Sequence, residues 1–344
     1  MSSLIRAPDH RESGKQPHLL PPNCSTRIFV KRDDKTGLGL SGNKVRKLEF
    51  LLADAVQKGC DCCVTIGGVQ SNHCRATAVA ARKVGLDSFL ILRQSDSELE
   101  KAVDPGLTGN LLVARMVNAQ LRMVSKSEYI RAGSKALVSQ CVAQLESDGR
   151  RPYPIPVGGS SPQGAWGYIQ CVEEIRQQCL DRGRPFSDIV VACGSGGSSA
   201  GLAIGVKLAG LPCKVHAILV CDNVRYFTTH IQDTLTALQL PFAPEDIITL
   251  HDGYRGKGYA VSTPQELNIV KDVAAASAVI TDPVYTGKAL VGMIDLLKAS
   301  PPVFGDEVLF LHTGGLYGLY DKAEELLPLM PAGQVQRMVV PSAL

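Results

Sequence analysis

Residues 41–48 read Ser41-Gly42-Asn43-Lys44-Val45-Arg46-Lys47-Leu48, and the chain changes character across them. Upstream, Arg27-Ile28-Phe29-Val30-Lys31-Arg32 has the composition of a strand, and it runs into a polar loop punctuated by Gly37 and Gly39. Downstream, Val45, Leu48, Leu51, Leu52 and Ala55 recur at helical spacing, which predicts a helix over 43–58. Ser41 or Asn43 is placed to cap it. Lys44 then falls in the first turn, where the helix end carries partial positive charge and a cation is disfavoured. An amine biased toward its neutral form is what Schiff-base chemistry requires.

The same strand-to-helix step repeats along the chain. Strands are predicted over 62–66, 88–92, 120–124, 188–192, 214–220 and 307–311. Between them lie helices over 72–84, 109–118, 127–146, 163–180, 199–209, 224–238, 264–276 and 286–299. Repeated alternation of this kind reads as α/β, with parallel strands, crossover helices and ligands at the carboxyl ends of the strands. At 344 residues the chain is long enough for two domains, and the proline-rich stretch over 150–159 is read as the crossing between them.

Composition narrows the functional classes. A net charge of +3 gives no case for nucleic acid or an anionic membrane surface, and no apolar run is long enough to span a bilayer. Residues 1–22 lack an apolar signal core and read as a loosely attached lead-in. The 11 cysteines are scattered through apolar runs, which suits buried thiols in a reducing compartment and a cytoplasmic location. In the one cluster, Cys62 and Cys63 are strand neighbours pointing to opposite faces, so no metal site is expected.

Two loops carry chemistry. Cys193-Gly194-Ser195-Gly196-Gly197-Ser198-Ser199 follows a strand and opens a helix, so its backbone N–H groups can cradle a phosphate. It lacks the third glycine of the dinucleotide fingerprint, and no Gly-Lys-Ser/Thr follows. A small phosphate monoester fits it better. Gly67-Gly68-Val69-Gln70-Ser71-Asn72-His73 is a second strand-to-helix turn, suited to a carboxylate, although Ser71 also reads as a plain N-cap. One lysine and two anion-binding loops together point to pyridoxal 5'-phosphate.

Lys31-Arg32-Asp33-Asp34, residues 42–49, residues 67–73 and Asp282-Pro283-Val284-Tyr285-Thr286-Gly287-Lys288 resemble, in order, the motifs of the 1-aminocyclopropane-1-carboxylate deaminase/D-cysteine desulfhydrase family. The resemblance runs from about Arg27 to Leu326. It implies the fold type II (tryptophan synthase β-like) architecture of pyridoxal phosphate enzymes. That architecture has two three-layer α/β domains with the site between them, residues 1–46 with 162–344 forming the large domain and 47–161 the small one.

The resemblance also implies that Lys44 bonds the cofactor's aldehyde and that Asn72 meets its phenolic oxygen. Ser195, Gly196, Gly197 and Ser198 would hold the phosphate, Ser198 standing where threonine is frequent. Ser71 with the backbone of Asn72 and His73 would hold the substrate carboxylate, and Tyr259 and Tyr285 would complete the catalytic set with Lys44 and Ser71. Thr286 and Thr313 stand where the deaminase branch has glutamate and leucine, which is similar to the desulfhydrase branch. A threonine near the pyridine nitrogen leaves it largely unprotonated, and a weaker electron sink suffices when a good leaving group departs from Cβ. The activity implied is β-elimination of D-cysteine to pyruvate, ammonia and hydrogen sulfide by a homodimer. The alternatives are cyclopropane amino acid deamination, release of sulfite from cysteate, and a non-catalytic pyridoxal phosphate-binding protein.

Overall fold

Strands alternating with helices build two largely parallel sheets. The computed structural model describes residues 3–4, 19–21, 24–37, 39, 42–101, 104–331 and 334–338. Its strands are β1 (Ser3–Leu4), β2 (Arg27–Arg32), β3 (Cys62–Gly68), β4 (Asp87–Gln94), β5 (Gln120–Ser125), β6 (Pro152–Pro154), β7 (Asp188–Cys193), β8 (Lys214–Leu219), β9 (Thr249–His251) and β10 (Glu307–His312). Its helices are α1 (Lys44–Gln57), α2 (Asn72–Lys83), α3 (Asp96–Glu100), α4 (Gly109–Met116), α5 (Lys126–Ala132), α6 (Ser134–Ser147), α7 (Pro162–Arg182), α8 (Gly197–Leu208), α9 (Val224–Ala237), α10 (Pro264–Ser277), α11 (Thr286–Leu297) and α12 (Ala323–Leu326).

The larger sheet has the order β1-β2-β10-β7-β8-β9 and the smaller one β5-β4-β3-β6. Every pairing is parallel except that of β1 with β2. All six residues of β7 and of β10 are buried, as parallel strands covered on both faces must be. Alternation sorts their side chains. Ile189 and Val191 join the core formed with α7, α8 and α9, while Val190 and Ala192 join the one formed with α10 and α11. Cys62 and Cys63 likewise enter different cores on the two sides of β3.

Four local readings change. The helix expected over 127–146 is two helices, because Gly133 takes φ +79° between them and Ser125 and Glu128 form a capping box that starts α5 separately. The proline stretch over 150–159 is no plain crossing, for it contains β6, an edge strand paired with β3, where missing N–H groups are tolerated. Ser3–Leu4 of the lead-in pairs with β2. Asn43 occupies the N-cap of α1 without capping it, its side-chain amide donating instead to Ser198 Oγ at 2.9 Å. Ser41, the other candidate cap, lies outside the described residues.

A charged cluster ties the start of α1 to α7. Arg46 donates to both carboxylate oxygens of Asp33 at 2.9 Å and to Glu174 at 2.6 and 2.9 Å. Tyr168 donates to Asp33 at 2.7 Å, and Lys31 reaches Glu174 at 2.6 Å. Asp33 is 1% exposed, so these donors replace the water it has lost. The helix carrying Lys44 is thereby fixed against the large sheet.

Candidate active site

The carboxyl ends of β3, β4, β7 and β10 open on one cavity of about 460 Å³. Its walls include Lys44, Ser71, Asn72, His73, Ser195, Gly196, Ser198, Tyr259, Tyr285 and Thr313, which lie up to 269 positions apart in sequence. Two expected residues are not part of the wall. Gly197 begins α8 and directs its N–H to Ser160 Oγ at 3.2 Å. Thr286 is fully buried and donates its hydroxyl to Asp282 Oδ1 at 2.6 Å, so that oxygen serves the start of α11.

Lys44 is the first residue of α1, and its Nζ donates to the carbonyl of Gly158 at 3.3 Å. Desolvation lowers its pKa to about 8. Lys47, one turn on and 1% exposed, donates to the same carbonyl at 3.1 Å and to Ser160 Oγ at 3.4 Å. Burial first, and Lys44 second, push its pKa well down. Two amines thus converge on one carbonyl, and among the described residues neither has a carboxylate partner. Such a pair calls for an anion.

The loop before α8 supplies the matching cradle. Gly196 has φ +84°, which frees its peptide to turn the loop over the helix start. Ser160 donates to Ser195 Oγ at 2.7 Å. Gly158, at φ +67°, lies so close that a Cβ there would run into Ser195 Oγ and stand 3.3 Å from Lys44 Nζ. Across the cavity, Ser71 caps α2, its Oγ accepting from Cys74 N at 3.2 Å, while the buried Oδ1 of Asn72 has no partner. Thr65 donates to Ile155 O, so His73 Nε2 must be the donor in its 2.9 Å bond to Thr65. Burial and the two lysines keep that imidazole neutral.

Tyr259 and Tyr285 meet hydroxyl to hydroxyl at 2.8 Å. Burial raises the pKa of both phenols. Arg93, beside Gly68 in the sheet, also lines the wall, with its guanidinium 4.7 Å from the ring centre of Tyr129 and 5.6 Å from that of Tyr259. Sequence reasoning did not assign Lys47, Ser160 or Arg93. The signal for Lys47 was present, since it lies three residues after Lys44 on the same helix face. Ser160 carries no such signal.

A buried lysine pair short of an anion, a Gly/Ser cradle at a helix start and an orphaned Asn72 oxygen fit pyridoxal 5'-phosphate. The fold and the site define a pyridoxal phosphate enzyme of fold type II. Residues 15–314 match the model of the family described as pyridoxal-phosphate dependent enzyme. The chain is 50% identical over 322 residues to the mitochondrial bifunctional D-cysteine desulfhydrase/1-aminocyclopropane-1-carboxylate deaminase of Arabidopsis thaliana, covering 93% of this chain and 79% of that one. It is 38% identical over 298 residues to the D-cysteine desulfhydrase of Serratia proteamaculans, covering 85% and 88%. A crystal structure of an ACC deaminase homologue superposes with a TM-score of 0.76 at 35% identity, covering 92% of this chain and 95% of the other. The chain belongs to the 1-aminocyclopropane-1-carboxylate deaminase/D-cysteine desulfhydrase family of pyridoxal phosphate-dependent enzymes.

Proposed function

We propose that this pyridoxal phosphate-dependent lyase is a D-cysteine desulfhydrase, converting D-cysteine and water to pyruvate, ammonia and hydrogen sulfide. One observation carries the choice within the family. Among the described residues lining the cavity, the only carboxylate is Asp222, which is exposed on the loop after β8. Asp282 is fully engaged: Oδ1 accepts from Thr286, and Oδ2 accepts from the N–H groups of Val284 and Tyr285. A site without a buried acid to protonate a pyridine nitrogen suits elimination of a good leaving group better than opening of an unactivated ring.

Lys44 would hold the cofactor, with Lys47, Ser195, Gly196 and Ser198 around its phosphate and Asn72 beside its ring. When bound, pyridoxal phosphate supplies an electron sink for negative charge at the substrate Cα. Lys44 Nζ, held near the pKa a base needs at neutral pH, takes the Cα proton. The Ser71 hydroxyl and the N–H groups at the start of α2 hold the substrate carboxylate. The paired hydroxyls of Tyr259 and Tyr285, both kept neutral by burial, can pass a proton to the departing sulfur.

Among the described residues no helix is long and apolar enough to cross a membrane. Free cysteines, seven of them buried, support a reducing compartment, and with it the cytoplasmic reading; the homodimer is carried over from the family resemblance alone. The test is parallel assay of D-cysteine, L-cysteine, D-serine, cysteate and 1-aminocyclopropane-1-carboxylate. Equimolar pyruvate and sulfide from D-cysteine is the expected result. Release of 2-oxobutanoate from the cyclopropane substrate, or of sulfite from cysteate, without sulfide from D-cysteine would reassign the enzyme. A yellow protein turning over none of them would make it a binding protein.

A further inference from the structure

The loop over 252–263, between β9 and α10, carries Tyr259 but contains no regular structure, and much of it is exposed. Its internal backbone bonds are two long ones, Gly258 N to Arg255 O at 3.2 Å and Val261 N to Gly258 O at 3.3 Å. Gly258 and Ala260 both sit at positive φ, +128° and +60°. Nothing local therefore holds Tyr259 in place.

The restraint comes from α11. Lys288, the third residue of that helix and 1% exposed, donates its ammonium to three carbonyls of the loop. The distances are 2.7 Å to Arg255, 2.9 Å to Gly258 and 3.2 Å to Val261. Glu266 Oε1, on α10, stands 3.8 Å away. All three N–H donors are used, as a buried ammonium requires. A cation in the first turn of a helix is disfavoured by the dipole, so the carbonyl cage must offset that cost. Tyr285 is the N-cap of the same helix. One helix start thus sets Tyr285 directly and Tyr259 through the loop, and the 2.8 Å contact of their hydroxyls requires both.

We propose that Lys288 is a positioning residue, a tethered ammonium that clamps residues 255–261 so that Tyr259 stays in register with Tyr285 at the cavity wall. The clamp is read from geometry alone; its effect on turnover rests on the proposed desulfhydrase reading. Lys288→Met keeps an unbranched stem as far as Cε and removes the three donors. Lys288→Ala removes Cγ, Cδ, Cε and Nζ, leaving a void the shape of n-propylammonium.

In the holoenzyme, Lys288→Met should speed backbone hydrogen exchange in 255–261 tenfold or more and leave β7 and β10 protected. Turnover of D-cysteine should fall about 10- to 100-fold, the scale of an ångström-level misplacement, with a smaller change in KM. n-Propylammonium should restore both properties to Lys288→Ala saturably, and n-propanol should not. Unchanged exchange in 255–261 overturns the clamp. So does general loss of protection in the Met variant combined with no saturable rescue of the Ala variant. If the wild-type enzyme releases no sulfide from D-cysteine, the desulfhydrase reading fails, and the exchange and rescue of exchange still decide the clamp.

Discussion

Replacing Lys44 with Met should make the cofactor-free protein more stable at neutral pH while abolishing turnover. Burial lowers the Lys44 pKa from 10.5 to about 8, so folding must either desolvate its charge or give up its proton. A difference of this size corresponds to roughly 3 kcal/mol, and water in the open cavity reduces it to about 2 kcal/mol. The sign follows from proton counting. Below pH 8 both states are protonated and the whole penalty is present. Between about 8 and 10.5 the unfolded chain binds the extra proton, so stability rises with pH; above 10.5 the penalty is gone. With roughly 2 cal/mol/K of unfolding entropy per residue, the 344 residues give about 0.7 kcal/mol/K. Lys44→Met should therefore raise Tm by about 3 °C at pH 7 and by less than 1 °C at pH 10.5. Scanning calorimetry of both stripped proteins at the two pH values measures this double difference, in which the tyrosines common to both cancel. A variant no more stable than its parent at pH 7, or equally stabilised at both pH values, would refute the buried-amine argument.

Two other substitutions test the surroundings of that amine. Gly158→Ala forces a Cβ onto Ser195 Oγ at a backbone φ of +67°, so cofactor affinity, titrated by absorbance, should fall at least ~10-fold. Tyr168→Phe removes one of three donors to buried Asp33 while Arg46 keeps its bidentate pair; denaturant unfolding should show a loss of about 1–2 kcal/mol with an unchanged m-value.

Periodicity made the architecture legible before any coordinates. The face of α1 bearing Val45, Leu48, Leu51, Leu52 and Ala55 is buried as spaced, and the opposed directions of Cys62 and Cys63 follow from strand alternation alone. What escaped was decided by tertiary partners. Nothing local makes the prolines over 150–159 into β6; an edge position beside β3 does. Thr286 stands next to Tyr285 in sequence, yet the turn at Asp282 takes its hydroxyl, whereas Thr313 reaches the cavity wall from the end of β10. Lys288 lay inside a quoted motif, but its role depends on carbonyls 27 to 33 residues upstream.

Charge balance links these features. Lys44, Lys47 and Arg93 stand at or beside the cavity, while the buried acids near it are committed elsewhere: Asp33 to Arg46 and Tyr168, Asp282 to the start of α11, Glu266 to Thr263 and the Lys288 ammonium. A cavity electrostatically biased in this way stabilises a phosphate and a carboxylate together, and it lowers the cost of negative charge building at a substrate's Cα and Cβ. Burial holds the Lys44 pKa down at about 8, within reach of neutral pH, and a buried carboxylate partner would raise it again. The low amine pKa and the anion binding therefore both depend on the wall's having no buried carboxylate among the described residues. Introducing one there would weaken both.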